Sequence, residues 1–189
     1  MALQHAILTA LRSGEASGYD LAKAFDVTVA NFWAATPQQL YRELDKMQDA
    51  GLIAARTVEQ EKRPTKRMYS LTEQGIAELR AFAAQTPKPI AIRDELLVQV
   101  EGLEPHTMDS VRTSVARKLE TSQTKLATYE RRRENLLAGE TEATHLSTAE
   151  HLGPYLTLAR GIAFEIENVR WCEFVLHTLG RAQPDSLSQ

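Results

Sequence analysis

The chain has 189 residues, enough for one ordinary domain or two small ones, and its 43% apolar and 25% charged side chains are a globular rather than a disordered composition. Only 6% of the residues are aromatic, while Ala, Leu, Glu and Arg are abundant, which favours helix packing over a β-sandwich. The net charge of −3 excludes a non-specific nucleic-acid coat, although a local basic patch is enough for a specific binder.

Residues 1–84 hold ten basic and ten acidic side chains, so the acidic excess of three lies wholly behind residue 84. No run approaches the roughly 18 apolar residues of a membrane span. The opening stretch MALQHAILTALRSGE has no basic region before it and no cleavage site, so it reads as a helix rather than a signal peptide. Cys172 stands alone, which excludes an intramolecular disulfide framework and a multi-cysteine zinc site. The expectation is a soluble, cytoplasmic protein with no metal and no cofactor.

In chain order, Leu3, Ala6, Ile7, Ala10 and Leu11 repeat at helical spacing, and residues 13–16 close this first helix. Ser17, with Asp20 three residues on, predicts the cap of a second helix whose inner face is Leu21, Ala24 and Phe25. Residues 26–35 read as a connection carrying Phe32 and Trp33. Thr36-Pro37-Gln38-Gln39 is the strongest start signal: Thr at the cap, Pro at the first helical position, Gln at the third. Leu40, Leu44 and Met47 form its buried stripe and Gly51 its stop, leaving Gln38, Gln39, Tyr41, Arg42 and Asp45 off the stripe.

Beyond Gly51 the period changes. Residues 52–58 read as a strand, 59–66 as a polar hairpin tip containing Pro64, and 67–71 as the return strand. Thr72 caps a fourth helix to about Ala84, with Ile76, Leu79 and Phe82 inward. Three helices, a hairpin and a helix within about 80 residues are the layout of a winged helix-turn-helix. The segment 85–89 carries Pro87 and Pro89 and is the predicted boundary.

Behind it, 90–100 reads as a short apolar helix. Met108, Val111, Val115, Leu119, Leu126, Tyr129 and Leu136 then follow a 3/4 spacing, interrupted by Ser122 and Arg133, which predicts a long helix with a narrow stripe. Residues 139–153 are a polar break without periodicity. Pro154 opens a last helix with Tyr155, Leu158, Ile162, Ile166, Val169, Cys172 or Phe174, and Leu176 inward, and 181–189 form a loose tail. Such thin helices bury their stripes poorly alone, and a second copy of the chain solves that. The expected fold is therefore mainly α, a winged helix-turn-helix domain (1–84) followed by an α-helical dimerisation domain (85–189).

The helix at 36–50 is the candidate recognition helix, because the second helix of such a motif puts its first turns against base edges. Gln38, Gln39, Tyr41 and Arg42 sit there; Gln suits adenine, and Arg suits guanine or a phosphate. Lys62-Arg63-Pro64-Thr65-Lys66-Arg67 has four basic residues in six, as a wing tip lying along phosphates needs. Ser17 and Tyr19 flank the start of the second helix, where backbone amides can hold a phosphate, although simple capping explains Ser17 equally well.

Trp33, Tyr155, Phe164 and Trp171 are candidates for an effector pocket at a dimer interface, against the alternative of plain core packing. Cys172 lies on an apolar stripe, which argues for burial over redox sensing. Arg131, Arg132 and Arg133 are flanked by Glu130 and Glu134 and read as a salt-bridged solvated face. The five histidines lack metal spacing, and no phosphate loop, dinucleotide fingerprint or nucleophile motif is present, so no enzyme is expected.

These segments resemble the PadR family of bacterial regulators. SGYDLAKAF resembles the family's second helix, FWAATPQQLYRELDKMQDAGLI its recognition helix, and KRPTKRMYSLTEQG its wing and the entry to the fourth helix. PIAIRDELLVQV and YLTLARGIAFEIENVRWCEFVL resemble the C-terminal helices of the longer members, the branch related to virulence-gene activators. The resemblance covers almost the whole chain. It implies a homodimer joined through its C-terminal helices, a double-stranded DNA operator of roughly palindromic sequence, and usually repression. It implies that Thr36 caps a helix from which Pro37, Gln38, Gln39, Tyr41 and Arg42 face the groove, with Tyr41 shared with the core, while Arg63, Lys66 and Arg67 meet phosphates. It also implies a small aromatic or hydrophobic effector, whose identity does not carry over. The competing reading is a winged-helix protein–protein interaction module, which salt-steep DNA affinity would separate from the first.

Overall fold

The computed structural model describes residues 2–25, 35–60, 63–89 and 93–181. The chain divides into two compact units, residues 1–89 and 90–189.

The first unit runs α1 (Ala2–Ala10), a 3-10 turn (Leu11–Ser13), β1 (Ala16–Ser17), α2 (Gly18–Ala24), α3 (Pro37–Asp49), β2 (Ile53–Gln60), β3 (Arg63–Leu71) and α4 (Glu73–Ala83). Its sheet has the order β1-β3-β2, all antiparallel. One continuous core joins Ile7, Leu8 and Leu11 to Leu21 and Phe25 of α2, to Leu40, Leu44 and Met47 of α3, and to Leu52, Ile53 and Tyr69 of the sheet. Two glycines make this packing possible. Gly51 ends α3 with φ +70°, in the left-handed region that costs other residues strain. Gly75 lets α4 lie on the chain after α3: a β-carbon there would stand 2.1 Å from the Leu52 carbonyl oxygen. That carbonyl also accepts hydrogen bonds from the Thr72 N–H and hydroxyl, which fixes the entry to α4.

Three expectations for this unit change. The strand β1 was not anticipated; it is two residues long, with Ala16 opposite Tyr69 and Ser17 opposite Met68. The hairpin is longer than the predicted strands 52–58 and 67–71: β2 continues to Gln60 and β3 begins at Arg63, with a register irregularity between Val58 and Gln60. Phe82 is partly exposed rather than inward, its ring stacked on His5 at 3.8 Å, while His5 Nε2 lies 3.0 Å from Glu78 Oε1.

The second unit holds α5 (Glu95–Glu101), α6 (Met108–Leu137), α7 (Glu142–Thr148) and α8 (Gly153–Arg181), with α6 packed along α8. Its apolar core is in two pieces. Val111 and Val115 meet Cys172, Val175 and Leu179 in one, and Tyr129 meets Leu158 and Ile162 in the other. Ser122 belongs to the buried stripe of α6 rather than interrupting it, and on α8 the buried positions include Glu165. Ile166 and Phe174, expected or weighed as inward, face solvent; Cys172, Val175 and Leu179 take the inner face. The segment 139–153, read as a break, contains α7, started by the Thr141 hydroxyl accepting from the Thr144 N–H at 3.2 Å. Among the described residues no helix is long and apolar enough to cross a membrane, and no cluster of metal-ligating side chains occurs.

Candidate nucleic-acid interface

The helix α3 is built to present its start. Thr36 and Gln39 close a reciprocal cap: the Gln39 N–H donates to the Thr36 hydroxyl at 3.2 Å, and the Thr36 N–H donates to Gln39 Oε1 at 2.9 Å. Pro37 then supplies a fixed φ at the first helical position. The cap engages Gln39 Oε1 and the Thr36 hydroxyl and so fixes where these two exposed side chains point. At 3.6 residues per turn, Arg42 stands opposite the buried line of Leu40, Leu44 and Met47, with Gln38 beside it one turn earlier. Both are exposed and make no side-chain hydrogen bond or ion pair with another described residue, so among the sequence-predicted residues they are the most available for a base.

Tyr41 turns toward α2. Its ring lies against Gly18, where a β-carbon would fall 2.4 Å from Tyr41 Cε1. Gly18 thereby sets the approach of α2 to α3, a requirement that sequence reasoning missed because a glycine at a helix start carries no sign of its neighbour. The start of α2 is a second reciprocal cap: the Asp20 N–H donates to Ser17 Oγ at 3.1 Å, and the Ser17 N–H and hydroxyl donate to Asp20 Oδ2 at 3.3 and 2.6 Å. The Ser17 hydroxyl bond holds the Asp20 carboxyl below the usual carboxylate range, with smaller pulls from Lys66 and Lys23. Ser17 is therefore buried and engaged as a cap, while Tyr19 beside it is 72% exposed.

The longer hairpin redistributes the wing. Thr65, Lys66 and Arg67 belong to strand β3 rather than to a tip, with Lys66 opposite Val58 and Arg67 opposite Thr57. Lys62 lies outside the described residues, and Arg63 is described only as the first residue of β3. Arg67 is engaged: Nη1 donates to Asp45 Oδ1 at 3.1 Å, Nη2 donates to Gln48 Oε1, and the guanidinium sits 5.4 Å from the centre of the Tyr69 ring. Burial raises the Tyr69 hydroxyl above its ordinary range, and the Arg67 charge partly opposes that. The sequence places Asp45 off the buried stripe without giving it a partner and does not mark Gln48 or Tyr69; pairing between a helix and a strand 19 to 22 residues apart leaves no local pattern.

The predicted effector residues fall in separate places. Trp33 lies outside the described residues. Tyr155 is buried, with the His145 ring of α7 at 5.1 Å, and its hydroxyl is pushed up by burial and by the nearby Glu142 carboxylate. Trp171 packs beside the Val111–Cys172 cluster, and Phe164 is half-exposed with Arg160 over its ring. Within one chain the three described residues do not line one cavity. A shallow cleft of about 300 Å³ lies instead between α5 and α6, lined by Val98, Gly102, Thr107, Val111 and Ser114 among others. Cys172 is buried and its thiol is pushed up by desolvation, which removes the low-pKa, exposed character a redox sensor needs.

A capped helix laid over the start of its predecessor, its outer line free and its flank joined to a two-stranded wing, is the winged helix-turn-helix of a transcriptional regulator. Residues 7–81 match the Transcriptional regulator PadR-like family, and residues 92–180 match the Virulence activator alpha C-term family. The chain is 33% identical over 175 residues to the Negative transcriptional regulator PadR of Bacillus subtilis, covering 92% of this chain and 95% of that one. The chain belongs to the PadR-like family of transcriptional regulators.

The B. subtilis protein has been solved in complex with operator DNA (TM-score 0.72, 30% identity, 95% of this chain and 99% of that one). It has also been solved with p-coumaric acid (TM-score 0.67, 29% identity, the same coverage). The virulence activator AphA of Vibrio cholerae superposes with a TM-score of 0.68 at 28% identity over 96% of this chain and 99% of that one.

Proposed function

We propose that this protein is a homodimeric, cytoplasmic repressor that binds a roughly palindromic operator and responds to a small aromatic or hydrophobic molecule. The observation that carries the reading is the outer line of α3: Gln38 and Arg42 are exposed, and unengaged among the described residues, at the start of a helix that its own cap and the Gly18–Tyr41 contact hold in place. An arginine so presented suits guanine, and a glutamine suits adenine. Pro37 and Tyr41 border that line; Tyr19, Lys62, Arg63, Thr65 and Lys66 are the flanking candidates for phosphate. The B. subtilis relative, named a negative regulator and solved on operator DNA and with p-coumaric acid, supports repression and an aromatic effector.

The second unit supports dimerisation. Leu156 and Phe174 are exposed on one face of α8, and Val98 is exposed on α5. Since Tyr155, Phe164 and Trp171 do not meet within one chain, an effector site that combines them draws on a second copy.

The test is binding of the full-length protein to labelled duplex from upstream of its own gene, against random duplex of equal length, with and without added phenolic acids. Preference for the upstream duplex that is steep in salt and released by one class of aromatic supports the reading. Equal, weak binding to both duplexes contradicts it, and points to a protein partner for the wing.

A further inference from the structure

Arg67 was expected to meet a phosphate, and its surroundings argue otherwise. It is carried by β3, whose backbone is fixed by pairing with Thr57 of β2, and it reaches back to the far half of α3. One terminal nitrogen donates to Asp45 Oδ1, the other to Gln48 Oε1, and the planar group covers the Tyr69 ring. Tyr41, Asp45 and Gln48 lie at spacings of four and three residues, so they form one flank of α3, the flank toward the wing strand. One N–H on each terminal nitrogen and one face of the guanidinium are thus in use, which fixes its plane against α3 and the Tyr69 ring.

Moving Arg67 to a phosphate would strip the Asp45 carboxylate, which is 63% exposed, of its one ion-pair partner among the described residues. That bare negative charge would then lie on the recognition helix beside the polyanion it is meant to approach.

We infer that Arg67 is a positioning residue: with Asp45 and Gln48 it locks the wing strand to α3 and so sets the angle at which Gln38 and Arg42 meet the bases. The inference rests on the DNA-reading proposal above, and it separates the basic residues of the wing into two kinds. Lys66 supplies charge; Arg67 supplies geometry.

The two roles differ in three readouts: the salt slope, the ratio of specific to random affinity, and the response to a neutral change at Gln48. If Arg67 positions, Arg67→Gln and Gln48→Ala each lower the specific-to-random ratio about ten-fold. Neither then changes the slope of log affinity against log salt. Asp45→Asn removes a negative charge and so strengthens random binding, yet the ratio still falls.

If Arg67 contacts phosphate, Arg67→Gln lowers the slope by about 0.9 on all duplexes and leaves the ratio unchanged, while Gln48→Ala is silent or tightens binding. That result overturns the inference. Amide exchange in the free protein reports the lock without DNA, so it stands apart from the fate of the DNA proposal. Arg67→Gln is expected to speed exchange in the second half of α3 several-fold, and unchanged exchange there overturns the lock even if wild type reads DNA. If wild type shows no specific binding but exchange does accelerate, the DNA reading fails and the lock survives.

Discussion

The two units solve the problem of a small core differently. In residues 1–89 three helices and a sheet converge on one continuous apolar cluster, and the polar groups nearest it are engaged in caps or cross-element bonds. In residues 90–189 two long helices share two separate clusters. Among the described residues, Ser122 of the α6 stripe has a hydroxyl without a partner, and buried Glu165 takes a bond only from Asn168 Nδ2 at 2.9 Å. The first arrangement suits a unit whose geometry must be rigid on its own, since a recognition helix is useful only at a fixed angle. The second suits a unit that is completed by another copy.

The comparison can be pressed hardest at Leu44, fully buried at the centre of α3. Leu44→Ala is expected to cost about 2–5 kcal/mol and to abolish specific DNA binding, as read by chemical denaturation and by titration with operator duplex. Gly75→Ala comes next: its β-carbon meets a backbone oxygen that cannot rotate away, so a loss of about 1–3 kcal/mol should appear in the same denaturation measurement.

Two buried serines sharpen the contrast because they should respond with opposite signs. Ser17→Ala removes the α2 cap and is expected to destabilise by about 1 kcal/mol. Ser122→Ala removes an unpartnered hydroxyl and is expected to be neutral or to stabilise by up to about 1 kcal/mol. A loss at Ser122 equal to that at Ser17 would mean that the middle of the α6–α8 pair is a satisfied polar layer, and the comparison would fail.

The smallest effect concerns pH. The Asp20 carboxyl is held low in the folded state, chiefly by the Ser17 hydroxyl, so it binds its proton later than in the unfolded chain. Its contribution is complete above the unfolded carboxylate range and is lost as the pH falls through the lowered folded value. Asp20→Asn should therefore shallow the acid limb of the stability curve and leave its slope near neutrality unchanged.

What the sequence made legible was local. The caps at Ser17 and Thr36 are signalled by partners three residues on, Asp20 and Gln39, and the structure builds both. The length of α6 followed from its 3/4 spacing. What escaped depends on distant partners. The strand β1 is a strand only because Ala16 and Ser17 lie against β3. The outer ends of the wing strands are polar, so they lack the alternation that marks a half-buried strand, and Thr65 and Lys66 read as turn. On α8 an apolar Ile166 faces out while Glu165 faces in, the reverse of what hydrophobicity alone assigns. The helix α7 is exposed along nearly its whole length, so it has no apolar stripe to mark it, and its segment reads as a polar break.

The central claim is that α3 reads bases while the strand beside it supplies charge. The direct test is a salt series on full-length wild type, Arg42→Ala and Lys66→Ala, each with the upstream duplex and with random duplex. The account predicts that Arg42→Ala loses about 1–3 kcal/mol on the upstream duplex and little on random DNA. Lys66→Ala should weaken both duplexes alike and reduce the salt slope by about 0.9. Equal losses on both duplexes for Arg42→Ala, with Lys66→Ala silent, would contradict it and remove α3 from base recognition.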